Sequence, residues 1–306
     1  MLRALFIYLS ESRSLRAVAE KSALGQRVSA RFVAGTQVED VLRATQAVNQ
    51  MEMTVSIDNL GENVTNADEA RASAAIYHHL LDDIAARGLQ ANISLKLTHM
   101  GFDVAENLAH DLVSGLVAKA ASLKSFVRVD MEGSPYTQRT LDFVHQLHAA
   151  PGNRGAVGTV IQTYLHRSES DVEKLLADGI RIRLCKGAYK EPPEIAFQKK
   201  SDVDANYVKL MKVLMKSGTY HGLATHDERI INEAKAFAIR ENIPRDAFEF
   251  QMLYGIRRDL QQQLVREGYG QRVYIPFGTE WYPYFMRRLA ERPANVLFIA
   301  RQMLRK

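Results

Sequence analysis

The sequence is poor in the features that most directly betray chemistry. It holds one cysteine, Cys185, among 306 residues. That excludes intrachain disulfides and a thiolate metal cluster, and favours a reducing, cytoplasmic setting. No G-x-G-x-x-G follows a strand-like run, so a doubly wound dinucleotide-binding sheet lacks its fingerprint. G-x-S-x-G is missing, and with it the nucleophile elbow of serine hydrolases. No pair of histidines has the H-x-H or H-E-x-x-H spacing of a metal hydrolase; His99, His226 and Asp130 are scattered, and His78-His79 point apart on a helix. No basic block interleaved with aromatics suggests nucleic acid. Long hydrophobic runs are also lacking. The opening MLRALFIYLSES is interrupted by Arg3, is too short to span a bilayer, and shows no clear small-residue cleavage site.

With 46% hydrophobic and 25% charged residues, the chain has what a packed globular protein needs. Its length accommodates a single α/β barrel. A net charge of +5 fits an anionic substrate, a phosphate-bearing cofactor or an acidic membrane surface. Up to about residue 50 the pattern is that of a helical arm, with Leu15, Val18, Ala19 and Ala23 on one face. Thereafter β-rich runs recur at 53–57, 92–97, 126–130, 158–162, 180–185, 221–225, 248–252 and 272–276. Helical stretches fall between them, among them 66–87, 137–149, 168–177, 204–216, 229–241 and 256–267. Asn66 with Glu69, and Ser168 with Asp171, read as helix caps. Eight strands separated by helices predict a (β/α)8 TIM barrel over 51–306, preceded by the arm over 1–50. An extra C-terminal helix, 293–306, carries Val296, Leu297, Ala300, Met303 and Leu304 on one stripe, which reads as packed on the barrel in preference to a membrane.

Catalytic groups of such barrels stand where strands run into the following loops. Those positions hold Lys96 and Thr98, Asp130 and Glu132, Gln162, Arg183 and Lys186, Thr225-His226-Asp227, and Gln251 with Tyr254. Beyond the last strand, Arg287-Arg288 follows Tyr284 by one helical turn. Two adjacent guanidiniums, about 100° apart around a helix, can grip one small anion. Cations outnumber carboxylates in this set, which suits anionic ligands. The turn KGAY (186–189) offers a glycine where backbone amides could approach a phosphate. A Schiff-base lysine enzyme could use Lys96 or Lys186, although neither has an evident apolar pocket. A glycosidase pair could only be Asp130 and Glu132.

Several motifs are recognisable together: SLKLTHMG (94–101), VRVDMEGS (127–134), VIQTYLHRS (160–168), RIRLCKGAYKEP (181–192), LATHD (223–227), FEFQMLYG (248–255) and YIPFGTEWYPYFMRRLAERPAN (274–295). Over roughly residues 50–295 the chain resembles the proline dehydrogenases, most closely the short, single-activity bacterial type. RLxKGAY followed by YxxRR carries most of the specificity. The resemblance implies a distorted (β/α)8 barrel binding FAD without a Rossmann motif. Such an enzyme oxidises L-proline to Δ1-pyrroline-5-carboxylate by hydride transfer to flavin N5. Electrons pass to quinone, which implies peripheral contact with the inner face of the cell membrane, and a separate pyrroline-5-carboxylate dehydrogenase acts downstream.

By the same resemblance Arg287, Arg288 and Lys96 pair with the proline carboxylate. Tyr254, Tyr284, Tyr189 and Leu184 form the wall around the ring, and Glu62 closes over the site by pairing with Arg287. Asp130 orients Lys96 near the flavin, and Arg183 lies at the N5 edge. Gln162, Lys186, Gly187, Ala188, Thr225 and His226 contact the cofactor. Two departures stand out: Cys185 where valine is common, and Asp227 where asparagine is frequent and could donate a hydrogen bond that a carboxylate cannot. The alternatives are a dehydrogenase of hydroxyproline or another cyclic imino acid, a metal-dependent barrel hydrolase, and a silent barrel used for binding.

Overall fold

Strand residues in this chain alternate, and the two faces of each strand meet different surroundings. The computed structural model describes residues 29–291 other than Glu62, together with Ala19, Ser22 and Gly25; beyond Met286 the only side chain described is that of Arg288. Eight strands close into one parallel barrel in sequence order: β1 (Thr54–Asn59), β2 (Ala91–Leu95), β3 (Val127–Val129), β4 (Val157–Gln162), β5 (Arg181–Cys185), β6 (His221–Ala224), β7 (Phe248–Leu253) and β8 (Gly270–Phe277). The barrel shuts where β8 pairs with β1, from Thr54↔Arg272 to Asn59↔Phe277. Parallel neighbours need long crossovers, and helices supply them. These are α2 (Ala67–Ala86), α3 (Glu106–Ser122), α4 (Ser134–Ala149), α5 (Ser168–Ala177), α6 (Lys200–Lys216), α7 (Glu228–Arg240) and α8 (Arg258–Arg266). Helix α1 (Val38–Asn49) precedes the barrel and α9 (Trp281–Glu291) follows it.

The eight expected strands are therefore present, with ends displaced by no more than two residues. α3 is a helix beyond those the sequence pattern singles out; Ala109, Val113, Leu116, Val117 and Ala120 form its buried stripe. Asn66 caps α2 as expected, its side chain accepting the Glu69 N–H. The expected cap at Ser168 is corrected. Arg167 is the cap residue of α5, and Asp171 pairs with Arg167 at 2.7 Å. Ser168 instead accepts a hydrogen bond from Asn206. Half of the N-terminal arm, all of that half before Ser29, and the whole stretch 293–306 lie outside the described residues.

Residues facing the helices are apolar and buried: Val55 and Ile57, Ile93 and Leu95, Val127 and Val129, Phe248 and Phe250, Val273 and Ile275. The interior of TIM barrels is usually filled by branched aliphatics. Here it is polar. Ser56, Asp58, Asn92, Ser94, Arg128, Arg183, Glu249 and Gln251 are all buried. Polar groups survive there only if hydrogen-bonded, and they are. Arg272 donates to Glu249 at 2.6 Å, to Asn92 at 2.9 Å and to the Val55 carbonyl at 2.9 Å. Tyr220 and Gln251 complete the Glu249 carboxylate.

A second apolar cluster fixes α9 over the carboxyl end of the barrel. Phe32, Val33, Leu60 and Ile256 pack there with Trp281, Tyr282, Tyr284, Phe285 and Met286. The backbone assists: Ala34 N–H donates to the Pro276 carbonyl at 2.9 Å, and Gly278 N–H to that of Gly35 at 3.0 Å. Among the described residues, no helix is long and apolar enough to cross a membrane.

His221 is a buried polar residue on β6. Its Nδ1 accepts the Ile182 N–H at 3.0 Å, so its proton is on Nε2, 2.9 Å from the Ser217 hydroxyl. Burial, with the charges of Arg128 and Arg181, pushes it down from 6.5 to about 3. Because the folded value lies below the unfolded one, the stability it contributes is present above pH 6.5 and is lost as pH falls from there toward about 3. Proton–nitrogen NMR should accordingly show a neutral Nε2–H imidazole that does not titrate down to about pH 5. A midpoint near its ordinary value would show that the residue is not held this way.

Candidate active site

The carboxyl ends of the strands open around one buried guanidinium. Arg183, on β5, donates from Nε to Gln251 at 2.6 Å and from Nη1 to Asp130 at 2.7 Å and Ser94 at 3.2 Å. Its Nη2 reaches Ser56 at 3.0 Å, and its Cζ lies 5.1 Å from the centroid of the Tyr274 ring. One side chain thus joins β1, β2, the end of β3, β7 and β8. Asp130 receives a second bond at the same oxygen from Ser94, at 2.9 Å.

Above this layer the Tyr274 hydroxyl stands 2.7 Å from one oxygen of Asp58 and 3.1 Å from one of Asp130. It has a single proton to donate, and the shorter contact takes it. The other Asp58 oxygen faces the Tyr77 hydroxyl at 3.3 Å. Lys96 Nζ lies 4.0 Å from Asp58. Burial raises the Asp58 carboxyl above its ordinary value; Lys96 pulls it back, and the charge of Asp130 pushes it up again. The carboxylate described at ion-pair distance from Lys96 is therefore Asp58, while Asp130 is turned to Arg183. Asp58 is absent from the sequence candidates for a simple reason: the first strand read as 53–57 stops one residue short of it, whereas β1 runs on to Asn59.

A second group of charges lies on the rim. Lys186 pairs with Asp204 at 2.6 Å and Asp227 at 2.9 Å, and Lys200 with Asp204 at 2.5 Å. Arg229 stands 3.6 Å from Asp204, giving three cations against two carboxylates. Asp227 also caps α7 by accepting the Arg229 N–H. Burial works against its negative charge, but Lys186 outweighs it and holds the carboxyl below its ordinary value. A carboxylate where asparagine is frequent thus serves the rim ion pairs and a helix end. Gly187, at φ +117°, is required twice over, since a Cβ there would also lie 2.3 Å from the Tyr164 ring. Ala188 N–H donates to Gln162 at 3.3 Å, and Gln162 donates to the Glu132 carbonyl at 3.0 Å. His226 Nε2 accepts the Leu253 N–H, which puts its proton on Nδ1, and the Thr225 hydroxyl accepts the Asp227 N–H. Burial pushes the Cys185 thiol up to about 12, so it stays protonated.

The tyrosines expected in the wall occupy different surroundings. Tyr284 is buried in the α9 cluster, with the Arg288 guanidinium 5.1 Å from its ring centroid. Tyr254 is half-buried, with Arg258 5.5 Å from its ring, and its N–H donates to the Tyr274 carbonyl. Tyr189 is exposed. Leu184 alternates with the inward Arg183, is fully buried in the core, and its carbonyl accepts from Tyr207 of α6. Glu62 and the side chain of Arg287 lie outside the described residues.

A family model described as proline dehydrogenase matches residues 41–301. Proline dehydrogenase 1 of Bacillus subtilis strain 168 is 39% identical over 307 residues, covering all of both chains. The proline dehydrogenase of Deinococcus radiodurans is 42% identical over 283 residues, 90% of this chain and 89% of its own. Among solved structures, proline utilization A (PutA) from Bdellovibrio bacteriovorus, inactivated by N-propargylglycine, superposes with a TM-score of 0.81 at 26% identity. The match takes in 87% of this chain but 32% of that one, so this chain spans about a third of its length.

Replacing Arg183 by methionine should leave Asp130 without its partner ion and cost about 3–5 kcal/mol. Urea denaturation would read this as a lower midpoint at unchanged slope. A loss below about 1 kcal/mol would mean that the guanidinium does not hold the strands together.

Proposed function

The chain belongs to the proline dehydrogenase family and is an oxidoreductase of proline, and from that premise we propose how its residues divide the work. The reaction is the oxidation of L-proline to Δ1-pyrroline-5-carboxylate with FAD as cofactor and quinone as the final acceptor. The observation that supports it best is a polar mouth that holds Lys96 and Arg183, with α9 packed over the same end through Leu60 and Ile256 and carrying Arg288 against Tyr284.

The residues present suit FAD. The cationic rim of Lys186, Lys200 and Arg229 complements a pyrophosphate, and the glycine at 187 keeps the backbone of that loop accessible. Gln162, Lys186, Gly187, Ala188, Thr225 and His226 would hold the cofactor, with Arg183 toward its electron-accepting edge. When bound, FAD supplies the hydride acceptor for the ring carbon next to the proline nitrogen.

The chain's own groups bind and orient. Arg288 and Arg287, with Lys96, take the proline carboxylate, and the Tyr284 ring restrains the Arg288 guanidinium. Fixing a small substrate by its charged end contributes several kcal/mol to catalysis by positioning alone. Tyr254 and Tyr189 complete the wall, and Glu62 would close over it. Asp130 is committed through one oxygen to Arg183 and Ser94. Its part is to hold that guanidinium in place. Asp58 takes over the orientation of Lys96. We place the protein in the cytoplasm, in peripheral contact with the inner face of the cell membrane, with a separate pyrroline-5-carboxylate dehydrogenase consuming its product.

The purified protein should be yellow, and anaerobic L-proline should bleach its flavin absorbance while 4-hydroxyproline, crowded by Tyr284, does so poorly. FAD-loaded protein left spectrally unchanged by proline would refute the assignment. Arg288→Met removes a charge-assisted pair of about 1.5–3 kcal/mol, so the proline KM should rise about ten- to a hundredfold. Wild-type KM in that variant would remove Arg288 from the carboxylate.

A further inference from the structure

The opposite end of the barrel has a chemistry of its own. An open cavity of about 440 Å³ lies at the amino ends of the strands, bounded by Thr54, Ala91, Phe126, Ala156 and Arg181. Its lining includes four cations, Lys124, Arg154, Arg181 and Arg272, and not one carboxylate. Among the described residues only Arg272 has an acidic partner, Glu249 at 2.6 Å. Among the described residues, no carboxylate lies within ion-pair distance of Lys124, Arg154 or Arg181.

Arg181 is the informative member. Its guanidinium is held by stacking, with Cζ 4.4 Å from the Phe126 centroid and 5.0 Å from that of Tyr220, and its Nε donates to the Tyr220 carbonyl at 3.4 Å. Its Nη groups make no hydrogen bond among the described residues. A fixed guanidinium with its fork unspent presents the donors that a bidentate oxyanion requires. The surroundings sharpen this. Arg128, buried in the barrel behind, stacks on the same Phe126 at 4.6 Å and donates to the Arg181 carbonyl at 2.6 Å. Gly158 makes room for both arginines, because a Cβ there would lie 2.2 Å from the Arg181 carbonyl and 2.9 Å from Arg128 Nη1. Burial lowers the Arg181 pKa against the pull of Glu249, and the charge of Arg272 lowers it further. A cluster of like charges with two half-buried members, Arg181 and Arg272, and two exposed ones, Lys124 and Arg154, is stabilised by a bound anion.

We propose that this cavity binds a small phosphate-bearing anion, separate from the proline and cofactor site at the other end of the barrel. Lys124 and Arg154 close on it from the exposed rim while Arg181 supplies the fork. Inorganic pyrophosphate and the diphosphate of a nucleotide share the chemistry the cavity recognises. The proposal goes beyond the oxidation of proline and does not rest on it.

Isothermal titration of the full chain, saturated with FAD and held at constant ionic strength, tests this with pyrophosphate and with ADP as probes. The comparison protein is Lys124→Asn with Arg154→Ala. Asparagine is chosen because Lys124 sits at φ +53°, a left-handed conformation that asparagine tolerates. Wild type should bind pyrophosphate, and the double variant about tenfold or more weakly, with proline oxidation unchanged in both. Tighter binding of ADP than of pyrophosphate would assign a nucleotide; the reverse would assign the inorganic ion. Equal affinity in wild type and variant, or no saturable binding at constant ionic strength, would overturn the proposal.

Discussion

Burying a guanidinium inside a barrel is costly unless every donor finds a partner and its charge an opposite charge. Arg183 comes close to that condition: four of its five N–H groups meet Gln251, Asp130, Ser94 and Ser56, drawn from three strands and the end of a fourth, and the Tyr274 ring comes from a fifth. An aliphatic plug could fill the same volume, but it would not fix the angular position of one strand relative to another. The hydrogen-bond directions do that. The carboxyl mouth therefore rests on a layer that is rigid because it is polar, and the residues proposed to meet substrate stand directly above it.

That layer also explains the division of labour between the two carboxylates. Asp130 is bound downward into the arginine network. Asp58 shares the Tyr274 hydroxyl with it and faces Lys96. Two acids that would repel if left together are separated by one hydroxyl and two cations. The mouth so formed holds positive charge in a defined place while staying deeply buried, the condition under which a small anion gains most from each contact.

Much of this was legible in the sequence, and the failures have physical causes. Eight short β-rich runs at helix-sized intervals leave few options besides a barrel, and the rule that strand ends carry function located Lys96, Asp130 and Arg183. Asp58 escaped because strand ends are the least sharply encoded part of a strand, and one misplaced boundary hid the acid. α3 is weakly marked because Gly115 and several small residues blur its apolar stripe. Arg154 and Arg272 lie outside the recognisable motifs, and Arg181, although it opens RIRLCKGAYKEP, stands at the amino end of its strand, where barrels do not place their catalytic groups.

Gln251 joins the two polar halves of the barrel. Its carbonyl oxygen accepts from Arg183, and its amide nitrogen donates to Glu249, which in turn holds Arg272. Only a side chain with an acceptor on one prong and a donor on the other can stand there. Glutamate would oppose Glu249, and lysine would oppose Arg183. The primary amide is thus the adaptor between a cation facing one opening and an anion serving the other, and it sets a polarity along the barrel axis that neither end could reverse alone.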